Sequence, residues 1–163
     1  MAQSNEERFD CIQKIGRNRY QVFYGLDENG ISKLARIVEY KPTLEEIKEM
    51  VLDAINKEID HTILTGFVWT DGDGHEYPVW LSTENQFNYK SAFDLAVQTG
   101  GAMLPVTFKF GTVEEPAYHE FTTLEELQDF YLKAIQFIQA TYQRGWMEKD
   151  SVDWSCYENV IEL

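Results

Sequence analysis

One arrangement recurs three times along this chain and constrains what it can fold into: two apolar or aromatic runs, a helix-starting signal, then one helix-length segment. The first pair of runs ends in Tyr40-Lys41-Pro42 and meets Thr43-Leu44-Glu45-Glu46. The second ends at Ser82 and meets Thr83-Glu84-Asn85-Gln86, and the third ends at Phe121 and meets Thr123-Leu124-Glu125-Glu126. Each tetrad has the Thr-x-x-Glu/Gln spacing of a capping box, in which the Thr hydroxyl accepts from the N3 amide and the N3 side chain reaches back to the N-cap amide. The pattern predicts an α+β fold of three β-hairpin-plus-helix units, with antiparallel sheet or small sheets packed against about three helices near 43–60, 83–99 and 123–144.

Residues 1–8 are polar and read as a frayed start, and 9–40 as a β-rich segment: a strand from Phe9 to Ile15, a second from Tyr20, and a return from Ile31 to Tyr40. Leu44, Ile47, Val51, Ala54, Ile55 and Ile59 then keep helical spacing. Ile63–Trp69 and Tyr77–Leu81 flank Asp71-Gly72-Asp73-Gly74 as a hairpin, with Pro78 demanding an edge position or one facing away from its neighbour. The second helix is assigned an inner face of Phe87, Tyr89, Phe93, Leu95, Ala96 and Val97, closed by Gly100-Gly101. Leu104–Phe110 alternates as a half-buried strand, Ala117–Phe121 returns, and the longest helix runs from Leu124 to about Arg144, where Gly145 is expected to stop it. The end of the chain, with 151–163 as an acidic tail, is read as a short docked helix or a mobile end.

A length of 163 residues suits one domain, here 1–163, and a 44% hydrophobic content with 23 Phe, Trp and Tyr residues supplies a core without disulfides. Cys11 and Cys156 have no metal or redox spacing and are expected to be free thiols. A net charge of −14 repels phosphate backbones and anionic lipid surfaces, so nucleic acid and membrane are not expected partners. No secretion signal or membrane-spanning run is read in the chain.

Asp71, Asp73 and Glu76 begin like a calcium loop, but Glu76 stands where an EF-hand needs Gly and Ser82 where it needs Glu, so a plain hairpin loop is expected. His61, His75 and His119 lack ligand spacing, and no nucleophile elbow, phosphate loop or dinucleotide fingerprint is present. The expectation is no enzyme, no catalytic residue, no cofactor and no metal. The residues singled out are the caps Thr43, Glu46, Thr83, Gln86, Thr123 and Glu126. A candidate interaction surface of Tyr24, Trp69, Tyr77, Trp80 and Tyr118 is weighed against core packing, which strand aromatics favour for most of them.

The stretches Ile63–Trp69, Val79–Lys90 and Leu104–Gly111, above all Ser82-Thr83-Glu84-Asn85-Gln86-Phe87-Asn88-Tyr89, give residues 40–150 a resemblance to a phage-associated domain family of unknown function, similar to C-terminal domains of phage tail and tail-fibre-associated proteins. The resemblance implies a non-enzymatic phage or prophage protein, a virion- or tail-associated structural or interaction module that self-associates as a dimer or trimer, located in the virion or the infected bacterial cytoplasm. The alternative is a small acidic phage effector that binds a host protein with a basic surface, with a carbohydrate-active enzyme or sugar-binding module as a residual reading. The family brings no catalytic residues, and Asn85 and Gln86 are expected to hydrogen-bond the Gly66 or Trp69 backbone rather than a ligand.

Overall fold

The computed structural model describes residues 12–158, and they alternate hairpins and helices as the cap pattern predicts. A three-stranded antiparallel sheet of β1 (Ile12–Lys14), β2 (Tyr20–Leu26) and β3 (Ser32–Val38) precedes helix α1 (Leu44–Thr65). The hairpin β4 (Phe67–Thr70) and β5 (Glu76–Val79) precedes α2 (Thr83–Gln98). The hairpin β6 (Val106–Gly111) and β7 (Pro116–Phe121) precedes α3 (Leu124–Asp150), and α4 (Ser155–Glu158) follows. The class is α+β, with three small antiparallel sheets. The strand start expected at Phe9, and Cys11, Val160 and Ile161, lie outside the described residues.

The chain divides into two compact units, the described residues up to Glu58 with those from Gly145, and Ile59–Arg144. In the first unit the register pairs Ile12 with Val22 and Tyr20 with Val38, so one face of the sheet carries Ile12, Tyr20, Val22, Tyr24 and Val38, all buried. Ile47, Val51 and Ile55 give α1 a stripe at i, i+4, i+8 that is fully buried. Tyr157 of α4 is buried and donates its hydroxyl to the Phe23 carbonyl. Tyr24 Oη and Lys33 Nζ converge on Glu148 Oε1 at 2.9 and 2.8 Å, and Lys33 also reaches Glu58 at 2.6 Å. Burial opposes the Lys33 charge, but these two carboxylates outweigh it and raise the Lys33 pKa.

In the second unit Phe130 of α3 is ringed by Trp69, Tyr89, Phe108, Phe110 and Phe121, with centroids 5.0–5.7 Å away. Val106, Phe108 and Phe110 share a parity, as the alternation predicts, and Phe110 is the most deeply buried of the three.

Two helix ends and one helix face differ from expectation. Ile63-Leu64-Thr65 is the last turn of α1 rather than the start of a strand, because Ile63 continues the stripe of Ile55 and Ile59 at i+4 and is buried with them. Gly66, at φ 75°, then ends the helix. In α2 only Tyr89 and Ala96 are buried, with Phe93 stacked on Tyr131 at 4.7 Å. Phe87, Leu95 and Val97 are exposed, since they fall off the 89, 93, 96 stripe. Finally, α3 runs through Gly145 to Asp150. A glycine stop requires positive φ, and Gly145 does not have it; it is a buried helical residue instead.

Candidate functional site

The most concentrated polar chemistry lies in the second unit, where the β4–β5 turn, β7 and the first turn of α3 bring Asp71, His75, Tyr77, His119 and Glu126 together. Asp71 organises the turn. Its Oδ1 accepts from the amides of Asp73 and His75, both at 2.9 Å, while Gly74 at φ 86° donates its amide to the Asp71 carbonyl. Its Oδ2 is 3.2 Å from His75 Nδ1 and accepts from the Tyr77 hydroxyl at 3.3 Å. Burial pushes the Asp71 carboxyl up, but the His75 and Asp73 amides and the His75 imidazole outweigh it, so its pKa lies below its ordinary value. Both oxygens are thus engaged by protein donors, which gives the acidic loop a structural role.

His119 continues the chain of hydrogen bonds. Its Nδ1 is 3.2 Å from Tyr77 Oη and its Nε2 is 2.7 Å from Glu126 Oε1. Burial and the Asp71 charge raise the Tyr77 pKa, so the phenol keeps its proton. The Tyr77 hydroxyl donates to Asp71, and the two ring nitrogens of His119 face the Tyr77 oxygen on one side and the Glu126 carboxylate on the other. The His119 ring lies edge-on to Trp69 at 5.0 Å and to Phe121 at 4.6 Å. Trp69 donates its indole N–H to Asp129 Oδ2 at 3.1 Å; Lys133 and this indole hold the Asp129 pKa down against burial.

An imidazole between a phenol and a carboxylate has the components of a proton relay. General-base chemistry needs a ring nitrogen within reach of a reactant, and here both nitrogens are committed to internal partners. The arrangement ties two hairpins to α3. Among the described residues, no group of three His, Cys, Asp or Glu side chains is placed to hold a metal ion. Nor is any helix long and apolar enough to cross a membrane. Cys156 Sγ lies 3.9 Å from the Asp153 carbonyl oxygen.

The caps fall as follows. Thr43 and Glu46 form the full box, Thr43 Oγ1 accepting from the Glu46 amide at 3.2 Å and Glu46 Oε2 accepting from the Thr43 amide at 2.7 Å. The second cap is Ser82, not Thr83: Ser82 Oγ accepts from the Asn85 amide at 3.2 Å and the helix begins at Thr83. A serine one residue earlier supplies the same N3 bond, which the threonine, already helical, cannot. Gln86 donates to the Leu81 carbonyl at 2.7 Å and Asn85 to the Trp80 carbonyl at 3.0 Å, so both fix the strand end to the helix, with Leu81 and Trp80 replacing the expected Gly66 and Trp69. Thr123 accepts from the Glu126 amide at 3.3 Å, and Glu126 turns to His119.

The candidate aromatic surface separates. Trp69, 1% exposed, and Tyr24 are core residues, because their parity places them on the buried faces of their sheets, and Tyr77 is half-buried beside Trp69. Trp80 and Tyr118 remain at the surface, 43% and 61% exposed. Sequence reasoning passed over Val68, the cross-strand partner of Pro78, which is 58% exposed and shares its outward face. It also passed over a groove of about 210 Å3 between α2 and α3, lined by Phe87, Tyr131, Ile135 and Ile138.

A family model described as "Domain of unknown function (DUF4376)" matches residues 46–161. The chain belongs to the DUF4376 family. The matched span contains the whole Asp71–Tyr77–His119–Glu126 network and the groove between α2 and α3, whereas the β1–β3 sheet precedes it. No curated protein and no solved structure matches the chain.

Proposed function

We propose that this DUF4376 member is a non-enzymatic phage or prophage protein, a virion- or tail-associated module that works by docking on protein surfaces, including a second copy of itself. The observation that carries the reading is the outer face of the β4–β5 hairpin, where Val68, Pro78 and Trp80 present apolar side chains to solvent. A sheet face is covered only by another packed layer, these side chains are exposed, and apolar surface clustered on one hairpin is the usual core of a protein contact. The phage assignment rests on the resemblance of residues 40–150 to tail-associated domains.

Such a contact strengthens or persists as salt screens the repulsion between protomers of charge −14. Light scattering is expected to give a dimer or trimer that survives high salt and is lost in Trp80→Glu, and the protein is expected in purified particles. A strict monomer, absent from particles and retained at low salt alone by a basic host protein, would instead establish the acidic-effector reading.

A further inference from the structure

The β1–β3 sheet turns its second face outward, and that face is concave. Gln13, Gln21, Phe23 and Ala35 line a depression of about 400 Å3 together with Leu26 and Ser32. The first four share a parity: Gln13 and Gln21 are direct cross-strand partners, as are Phe23 and Ala35. Leu26 and Ser32, also a pair, belong by strict alternation to the opposite face. Gly25 lies between Phe23 and Leu26 at φ 67°, a conformation that breaks the alternation and brings the strand end and its turn round as a wall. The depression is within the volume range of small-ligand sites, roughly 300–1,000 Å3, whereas the α2–α3 groove, at about 210 Å3, falls below it.

None of the residues that line it is ionisable. Its polar side groups are two primary amides and a hydroxyl, each able to donate and accept, and the Gln13 and Gln21 amides have no side-chain hydrogen-bond partner among the described residues. The Phe23 ring supplies an aromatic wall whose negative π-face attracts polarised C–H groups. A charged ligand would lose hydration there without a counter-charge in return. A neutral ligand rich in hydroxyls, with C–H faces between them, matches the amides, the hydroxyl and the Phe23 ring.

We infer that this depression binds a neutral saccharide, with the Gln13 and Gln21 amides bonding sugar hydroxyls and Phe23 lying against the C–H face of one ring. The site lies before residue 46, outside the matched family span, and does not depend on the protein contact proposed above.

The test is titration of the 15N-labelled full chain with maltotriose, cellotriose and triacetylchitotriose, with sialyllactose as the anionic control. At least one neutral trisaccharide is expected to shift the Gln13 and Gln21 side-chain amide signals. Its affinity should fall about tenfold in Gln21→Ala, the loss expected for one or two hydrogen bonds. Phe23→Leu should weaken binding as well, and an unchanged urea midpoint shows that each variant still folds. No shift with any neutral trisaccharide overturns the inference, as does equal binding of sialyllactose or binding that Gln21→Ala leaves intact. Particle content and oligomeric state are read separately, so either reading can fail alone.

Discussion

His119 Nε2 lies 2.7 Å from Glu126 Oε1, so the residue at the N3 position of a helix cap is spent on a neighbouring strand instead of on its own N-cap amide. The first helix keeps the full box at Thr43 and Glu46; the third gives up half of it to anchor β7. The two roles of Glu126 separate by substitution. Thr123→Ala removes only the cap bond and should cost about 1 kcal/mol. His119→Ala strands Tyr77 and Glu126 together and should cost about 2–3 kcal/mol. Urea denaturation of both variants checks the order; equal midpoints would contradict it.

Ser82→Ala should destabilise by about 1 kcal/mol, and Thr83→Ala by close to nothing, because the serine makes the bond to the Asn85 amide. Thermal melts of the pair distinguish a cap at 82 from one at 83.

Gly66 and Gly30 both have positive φ, 75° and 77°, but their surroundings differ. A Cβ at Gly66 would lie 1.7 Å from the Val79 carbonyl oxygen, whereas one at Gly30 would meet nothing within 4 Å. Gly30→Ala should therefore cost about 1 kcal/mol of backbone strain alone. Gly66→Ala should cost about 3 kcal/mol or more, or prevent folding, as the α1–β4 junction cannot give way. Urea midpoints for the two variants provide the measurement.

Stability should fall at both extremes of pH. Asp71 has its pKa held below the ordinary 3.8, so its contribution is complete above that value and is lost as pH falls through the folded pKa. Burial pushes the Tyr89 phenol up to about 12 from 10.0. The folded state therefore keeps a proton that the unfolded chain releases, and stability declines between about pH 10 and 12. Asp71→Asn should flatten the acid limb, and Tyr89→Phe the alkaline limb, of a plot of urea midpoint against pH.

Spacing alone locates the helices to within a residue or two at their starts, because a cap is a local signal: a hydroxyl or carboxamide three positions before a free amide. It fails at helix ends that depend on conformation. Gly66 and Gly145 look alike in sequence, yet one takes positive φ and stops a helix while the other is buried inside one. The network around His119 is not legible, because residues 71, 77, 119 and 126 come from a turn, two strands and a helix with no interval linking them, and Glu126 is masked by its cap pattern. The surface aromatics are half legible: parity shows that Trp69 and Tyr77 share a face, but not which face the rest of the unit covers.

Every strand of the two hairpins β4–β5 and β6–β7 is an edge strand, with a ladder partner on one side only. Pro78 lies within β5 and Pro116 opens β7, each a position without an amide to offer an incoming strand. A unit such as Ile59–Arg144, whose sheets never grow beyond two strands, is exposed to fibril formation at high local concentration, and these prolines act as gatekeepers on one strand of each hairpin. On β5 and β7 they remove a backbone donor from the edge and leave the side-chain faces as the sticky surface, so copies that meet on those strands do so through side chains rather than by extending a β-ladder.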